Sequence, residues 1–148
     1  MKRINYDQIT GLHLELTTKC NAACPMCNRN FKGKVRNKLK MTELTLEDCQ
    51  NILNIDFLKQ LKLISMCGVF GDPINNKELL EILDYIYSVN PNIVINIYTN
   101  GSLYDKTWWQ NLAKKLKKGR VIFGIDGLEG VSEMHRCKTN FNKVIDNK

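Results

Sequence analysis

Three features are missing from this chain, and each absence narrows the classes of protein that it can be. The longest apolar runs are only a few residues, far short of a membrane span, so we expect no membrane partner. Residues 1–7 lack the apolar stretch of a signal peptide, and we therefore expect a cytoplasmic protein. No internal repeat, low-complexity tract or linker divides the sequence, which predicts one undivided domain.

The bulk composition is that of an ordinary globular protein. The 148 residues are 43% hydrophobic and 25% charged, which is enough for one domain with a real core. Six cysteines in a reducing compartment stay thiols, which favours metal binding or burial over a disulfide framework.

Much of the formal net charge of +7 lies in two places. The lysines within 114–118 end a predicted helix, where cations complement the helix dipole and stay solvated. The basic residues within 32–40 lie in the loop after a group of cysteines, and there they would form the rim of an active-site mouth. A polyanionic substrate such as RNA or a nucleotide would suit that rim.

Apolar periodicity predicts that strands and helices alternate along the chain. The predicted strands cover 12–17, 61–67, 93–98 and 120–125, and the predicted helices cover 45–54, 77–88, 105–117 and 142–147. Thr45 is predicted to cap the first helix and Asn76 the second. The β-α-β-α order implies a parallel sheet with right-handed crossovers.

One face of each predicted strand carries polar or small residues near its C-terminal end. They are His13 and Glu15, then Ser65 and Cys67, then Asn96 and Tyr98, and last Gly124 and Asp126. A flat sheet covered on both sides would be apolar on both faces. We therefore expect an α/β fold, a partial (β/α) TIM-like barrel of about four β/α units, with a polar site at the strand ends.

The most specific motif is a group of three cysteines in the spacing C-x3-C-x2-C, directly after the first predicted strand. Three thiolates cannot pair off as disulfides, and this spacing lets one loop close around one metal centre. Cys20, Cys24 and Cys27 would leave one coordination position free, as a catalytic centre requires. Structural zinc, with Cys67 or His13 as a fourth ligand, is the alternative that the spacing leaves open.

The cysteine loop, with Met26 before its last cysteine, resembles the signature of the radical S-adenosylmethionine (SAM) superfamily. The resemblance implies that Cys20, Cys24 and Cys27 hold a [4Fe-4S] cluster, whose fourth iron binds the amino and carboxylate groups of SAM. It implies that SAM is cleaved reductively to a 5′-deoxyadenosyl radical, which abstracts hydrogen from the substrate. It also implies an electron donor such as flavodoxin or ferredoxin.

Three later segments resemble further motifs of the same family, in the same order. Residues 68–73 resemble the glycine-rich segment that contacts the SAM amino group, with Asp72 in place of the usual glutamate. Residues 98–101 resemble another common segment, and residues 124–127 resemble one that reaches the SAM ribose or carboxylate, with Gly124 where serine is common. The resemblance therefore places SAM against Met26, Gly71, Asp72, Pro73, Asn100 and Asp126.

The resemblance extends from about Leu12 to the last residue and covers only part of the family's domain. A usual core of this family has six β/α units, so we expect 1–148 to be a single, C-terminally incomplete core domain. A truncated gene, a short barrel that oligomerises and a split enzyme all account for this. In the last two cases a homo-oligomer or a second chain completes the barrel.

The form of the cysteine loop also bears on the substrate. Cys-Asn-x-x-Cys-Pro-x-Cys-x-Arg is common among family members that modify peptides or make cofactors, so we expect a peptide or small-molecule substrate. RNA or a nucleotide is the alternative substrate. The alternative to an enzyme is a non-catalytic iron–sulfur or zinc-binding remnant that binds a partner. Cys49 is predicted to be a buried helix residue and Cys137 an incidental thiol.

Overall fold

The structure is a computed structural model that describes residues 4–148, in which a four-stranded sheet is flanked by helices. The strands are β1 (Gly11–Leu14), β2 (Asn30–Phe31), β3 (Lys34–Val35), β4 (Leu63–Met66), β5 (Val94–Thr99) and β6 (Gly119–Phe123). The helices are α1 (Leu46–Ile52), α2 (Ile55–Gln60), α3 (Leu79–Val89), α4 (Lys106–Lys115), α5 (Val131–His135) and α6 (Phe141–Asn147).

The main sheet has the order β1-β4-β5-β6, and every neighbouring pair is parallel. Parallel neighbours need a connection that returns to the other end of the sheet, and here helices supply it. The predicted α/β class and the partial barrel of about four β/α units are confirmed. Each of the four predicted strands is present, although the first ends at Leu14 rather than Thr17.

The core lies where the two central strands meet the helices. Ile64 and Met66 of β4 and Ile95 and Ile97 of β5 are fully buried. The amphipathic helix α3 contributes its inward residues to the same cluster, namely Leu79, Ile82, Leu83 and Ile86. Burial of these aliphatic side chains is the main force holding the helices on the sheet.

Helix caps explain where the helices begin, and one of the two predicted caps is wrong. Thr45 caps α1 as predicted, because its hydroxyl accepts the Asp48 N–H. Asn76 was predicted to cap a helix that begins at Lys77, but it caps the end of a 3-10 turn, Pro73–Asn75. Helix α3 begins at Leu79, two residues later than predicted. The Asn76 side chain instead accepts the Glu78 N–H and donates to two loop carbonyls, those of Leu16 and Leu44. The asparagine therefore holds three chain segments together.

The basic segment after the cysteines, predicted only as a polar connection, forms a hairpin. Its strands β2 and β3 are antiparallel, and the two-residue turn, Lys32 and Gly33, has φ values of 50° and 73°. Two successive positive φ values are typical of the type I′ turn, which suits the twist of a hairpin. Helices α2 and α5 were also absent from the sequence prediction.

A row of polar residues crosses one face of the main sheet. His13, Ser65, Asn96 and Arg120 are register partners on successive strands. The Asn96 Oδ1 atom is buried and has no hydrogen-bond partner among the described residues. The polar face predicted from strand alternation thus lies on a continuous row, as it would in the interior of a barrel.

We predict that Ile64→Ala lowers the free energy of unfolding by about 3 kcal/mol, because it leaves a cavity at the centre of the sheet. Ile64 is 0% exposed, whereas Ile52, at the end of α1, is 52% exposed. Ile52→Ala is the matched control, and its effect should stay within about 0.5 kcal/mol. Urea denaturation followed by circular dichroism measures both, and equal effects would contradict the burial of Ile64 at the centre of the sheet.

The lengths and compositions of the helices bear on whether the chain can cross a membrane. Among residues 4–148, no helix has the length and apolar content that crossing a bilayer requires.

Candidate active site

The C-terminal ends of the four parallel strands surround one cavity of about 660 Å³. The loop after β1 contributes the three predicted cysteine ligands, and the segments after β4, β5 and β6 contribute residues that surround them. This edge of the sheet is where α/β folds of this kind place their sites. Four sequence segments singled out independently therefore meet at one place.

The structure brings together most of the predicted site residues, with one exception. The cavity wall includes Cys20, Cys24, Cys27, Met26, Gly71, Asp72, Asn100 and Asp126. Met26 is 91% exposed and so lies at the mouth of the cavity. Pro73 is buried at the first position of the 3-10 turn and is not among the lining residues. Its part is to end the glycine-rich segment, since proline suits the first position of a helical turn.

Hydrogen bonds brace the cysteine loop from within and from outside. The Cys27 N–H donates to the Cys24 carbonyl at 3.2 Å, and the Asn30 side chain donates to the same carbonyl at 3.0 Å. From outside, the Ala23 N–H donates to the Cys137 carbonyl at 2.7 Å. Because these bonds hold the backbone, the three thiols reach the cavity from a defined loop.

Burial controls the ionisation of the first two cysteines. It raises the pKa of the Cys20 thiol to about 11, and the nearby charge of Asp72 adds to the shift. Burial also raises the pKa of Cys24, against which the Arg136 guanidinium acts. Thiols with raised pKa values are poor free nucleophiles, and they become thiolates when a cation binds the sulfur. The site therefore suits metal binding better than nucleophilic catalysis.

Asp72 has a different geometry from the one expected of a free cofactor contact. It is only 4% exposed, and its Oδ2 accepts hydrogen bonds from the Thr99 hydroxyl at 3.0 Å, the Asn100 N–H at 2.8 Å and Asn100 Nδ2 at 2.6 Å. Its Oδ1 accepts the Ile74 N–H at 3.2 Å. Burial raises the pKa of Asp72, and the hydrogen bonds oppose that shift. The carboxylate thus binds the end of β5 to the glycine-rich segment.

Asn100 carries this connection on to the cysteine loop. Its Nδ2 group donates to Asn21 Oδ1 at 2.9 Å and lies 3.8 Å from Cys20 Sγ. Its Oδ1 accepts the Ser102 N–H and hydroxyl, while Asn21 Nδ2 donates to the Ser102 hydroxyl oxygen at 2.9 Å. A continuous polar network therefore runs from Asp72 to Cys20 and its neighbour Asn21, and orients the first cysteine.

The glycine-rich segment approaches the cysteine loop so closely that side chains are excluded. A Cβ at Gly71 would lie 1.9 Å from the Thr17 carbonyl oxygen, and one at Gly68 would lie 2.2 Å from the Gly71 carbonyl oxygen. The Asp72 N–H donates to the Lys19 carbonyl at 2.9 Å. Gly71 is therefore required for the glycine-rich segment to pack on the residues that lead into the cysteine loop, and Gly68 is required for the tight turn within the glycine-rich segment itself.

At the end of β6 the structure adds two residues that sequence reasoning missed, His135 and Arg136, which both line the cavity. Arg136 Nε donates to Asp126 Oδ2 at 2.5 Å, so the predicted site residue Asp126 is held in an ion pair. A Cβ at Gly124 would lie 2.5 Å from Arg136 Nη2, so the glycine makes room for the guanidinium. No spacing in the sequence distinguishes this arginine, because its partner belongs to another element.

Cys67 and His13 form a separate pair beside the cavity. Cys67 Sγ lies 3.5 Å from His13 Nε2, and that nitrogen lies 3.6 Å from Glu15 Oε1. Only Cys67 of the pair lines the cavity. Within residues 4–148, no three His, Cys, Asp or Glu side chains are gathered tightly enough to hold a single metal ion.

The donor set nevertheless fits a cluster of several irons. Three cysteine thiols, all half-buried, share one cavity of about 660 Å³. Soft thiolate ligands select iron–sulfur clusters, and the cavity beside them has room for a ligand of small-molecule size. The chemistry of these side chains therefore suits an iron–sulfur cluster that remains open to a second ligand.

The chain belongs to the radical SAM superfamily, whose family profile matches residues 14–147. The chain is 32% identical over 113 residues to the FeMo cofactor biosynthesis protein NifB of Methanocaldococcus jannaschii, covering 73% of this chain and 37% of that protein. It is 30% identical over 142 residues to a probable GTP 3′,8-cyclase of Pyrococcus horikoshii, covering 93% of this chain and 40% of that protein. The chain thus spans about two fifths of the length of these relatives.

Solved structures show the same fold. The structure of anSMEcpe with bound S-adenosylmethionine superposes with a TM-score of 0.70 at 20% identity, over 93% of this chain and 39% of that chain. BtrN, in complex with S-adenosylmethionine and 2-DOIA, gives a TM-score of 0.59 at 20% identity, over 91% of this chain and 56% of that one. The cofactors of the family are a [4Fe-4S] cluster and SAM, as the resemblance implied.

Proposed function

We propose that this chain is the cluster-binding part of a radical SAM enzyme, with Cys20, Cys24 and Cys27 as ligands of a [4Fe-4S] cluster. The observation that carries the proposal is the convergence of these cysteines with the ends of the next three strands on one cavity. When bound, the cluster and SAM together supply a reductive cleavage that produces a hydrogen-abstracting radical. A structural metal site would use a fourth protein ligand in place of this open side.

The residues around the cysteines have separate tasks in this proposal. Met26 and Gly71 line the SAM side of the cavity, where the glycine backbone permits close approach. Asn100 holds Cys20 in place, and Asp72 holds Asn100. Asp126 orients Arg136, whose two Nη groups have no hydrogen-bond acceptor within residues 4–148 and so suit a carboxylate such as that of SAM.

For the substrate we propose a peptide or small molecule, the class expected from the cysteine loop. The peptide case is supported by a solved neighbour, anSMEcpe with a bound Cp18Cys peptide. The relatives named as GTP 3′,8-cyclases support a nucleotide as the second candidate. The further partners that we propose are a one-electron donor such as flavodoxin or ferredoxin, and a second chain or second copy that completes the barrel.

The test of the proposal is anaerobic reconstitution of the purified chain with iron and sulfide, followed by absorbance and EPR spectroscopy with and without SAM. We expect a [4Fe-4S] spectrum that SAM perturbs, and 5′-deoxyadenosine when dithionite is added. Stoichiometric zinc without iron uptake would refute the assignment. A cluster that SAM perturbs without any release of 5′-deoxyadenosine would favour the non-catalytic remnant.

A further inference from the structure

The chain's net charge is concentrated in one segment around and after the cysteines. Between Leu16 and Thr42 there are seven Lys and Arg residues and no Asp or Glu, which equals the whole formal charge of +7. Two of these cations lie before the hairpin: Lys19 pairs with Glu43, and Arg29 is buried. The other five belong to the β2–β3 hairpin and the residues that follow it, namely Lys32, Lys34, Arg36, Lys38 and Lys40.

These five cations, together with Phe31, form an exposed basic surface that we call the hairpin patch. None of the five is in an ion pair with an acidic side chain among residues 4–148. The Phe31 side chain within this patch is 60% exposed. Lys32 Nζ lies 5.5 Å from the centroid of the Phe31 ring, and Arg36 Cζ lies 5.9 Å from it. An exposed aromatic side chain with an arginine beside it is typical of protein-binding surfaces, which are enriched in both residue types.

The hairpin patch lies beside the cysteine loop but outside the active-site cavity. A second cavity of about 270 Å³ is lined by residues 20–23 of the cysteine loop and by Gly33, Lys34 and Val35 of the hairpin. Cys20 and Ala22 line both this cavity and the active-site cavity, so the cysteine loop forms the wall between them. No hairpin residue lines the active-site cavity.

We propose that the hairpin patch is the docking surface for an acidic one-electron donor protein, which delivers its electron to the cluster through the cysteine loop rather than through the SAM cavity. The proposal rests on the proposed function of the cysteines and names the partner of that site. In the transfer one electron leaves the donor, which is oxidised by one unit, and enters the cluster, which is reduced by one unit. No bond is formed or broken and no proton is needed.

The position of the hairpin cations outside the SAM cavity favours this partner over a polyanionic substrate. A substrate must reach the SAM cavity, and the hairpin cations are outside it. An electron donor needs only to come close to the cluster, and a basic surface beside the ligand loop steers an acidic protein to that place. Only two residues, Asn28 and Arg29, separate Cys27 from the first strand of the hairpin. The hairpin patch and the cysteine loop are therefore parts of one continuous segment.

The test compares a hairpin variant with a charge-matched control. The variant carries Lys32→Glu, Lys34→Glu and Lys38→Glu, whose side chains make no hydrogen bond within residues 4–148. The control carries Lys114→Glu, Lys117→Glu and Lys118→Glu at the end of α4, and changes the net charge equally. Binding of an acidic flavodoxin is measured by titration calorimetry at low and high salt, and circular dichroism verifies folding.

We expect the hairpin variant to bind flavodoxin at least about tenfold more weakly than the unaltered chain at low salt, and the control to stay within about twofold. In the cluster-loaded chain, flavodoxin should reduce the hairpin variant more slowly, whereas dithionite with methyl viologen should reduce all three chains at one rate. Equal weakening in both variants, or no binding by the unaltered chain, would overturn the proposal.

A single-stranded RNA oligonucleotide is the competing probe. If it binds the unaltered chain, displaces flavodoxin and loses affinity in the hairpin variant, the patch is a nucleic-acid site and the proposal is wrong. Failure of the chain to take up iron would refute the proposed function of the cysteines. The calorimetric comparison would still decide whether the hairpin patch binds an acidic protein, so the two failures are distinguishable.

Discussion

Cys24→Ala is expected to reduce the iron content of the reconstituted chain to background. A [4Fe-4S] cluster needs its thiolates, and with two left on the loop two irons would lack a protein ligand. Cys24 is the middle cysteine, and its carbonyl accepts bonds from Cys27 and Asn30, so the loop itself stays in place when only the side chain is removed. Iron and sulfide analysis, with the absorbance of the cluster, measures the loss.

Cys137→Ala is the stringent control, because Cys137 lies next to the same loop. Its carbonyl accepts the Ala23 N–H at 2.7 Å, a backbone contact that the substitution keeps. Among residues 4–148, the thiol of Cys137 donates only to the Met134 carbonyl, at 3.5 Å. We therefore expect full iron content in this variant. Equal iron in the two variants would show that Cys24 is not a ligand.

Asp72→Ala is expected to lower the free energy of unfolding of the metal-free chain by about 3 to 5 kcal/mol. The Asp72 carboxylate accepts four hydrogen bonds, and its removal leaves the donors of Thr99, Asn100 and Ile74 buried without an acceptor. Each unsatisfied buried donor costs about 1 to 3 kcal/mol, and partial relaxation of the site reduces the sum. Urea denaturation measures the effect.

Thr99→Ser is the matched control for the same network. It keeps the hydroxyl that donates to Asp72 and accepts the Gly101 N–H at 3.0 Å, and removes only a methyl group. Its effect should stay below about 1.5 kcal/mol. A second measurement separates orientation from stability: at a temperature where all chains are folded, Asp72→Ala should take up less iron, because Asn100 no longer holds Cys20. Full iron uptake by folded Asp72→Ala would contradict that role.

Much of the fold and the outline of the site could be predicted because they depend on local pattern. Apolar runs mark the strands to within a few residues, and a parallel sheet must bring the strand ends to one edge. The cysteine spacing needs no tertiary information. The predictions were weaker where a short element has little periodicity, as in the β2–β3 hairpin, and at Asn76, whose side chain serves distant carbonyls as well as its own turn.

The details of the site could not be predicted because they depend on residues distant in sequence. Asp72 is expected from its motif to face a ligand, yet its carboxylate is taken up by Thr99 and Asn100, 27 and 28 residues later. In the sequence, Gly124 stands where a serine hydroxyl is common in the family. In the structure, the Arg136 guanidinium occupies the space that a side chain at position 124 would need. Such pairings become visible only when the strands lie side by side.

The bonds between Asn21 and the end of β5 also have a consequence for how the protein is made. Asn21 contacts Asn100 and Ser102, which are 79 and 81 residues further along the chain. At ribosomal speeds of 5 to 20 residues per second, about 4 to 16 s pass between synthesis of the cysteines and synthesis of their supports. During that interval the bonds of Asn21 to Asn100 and Ser102 cannot form. The side-chain network that orients Cys20 can therefore form only after β5 and Ser102 have been translated.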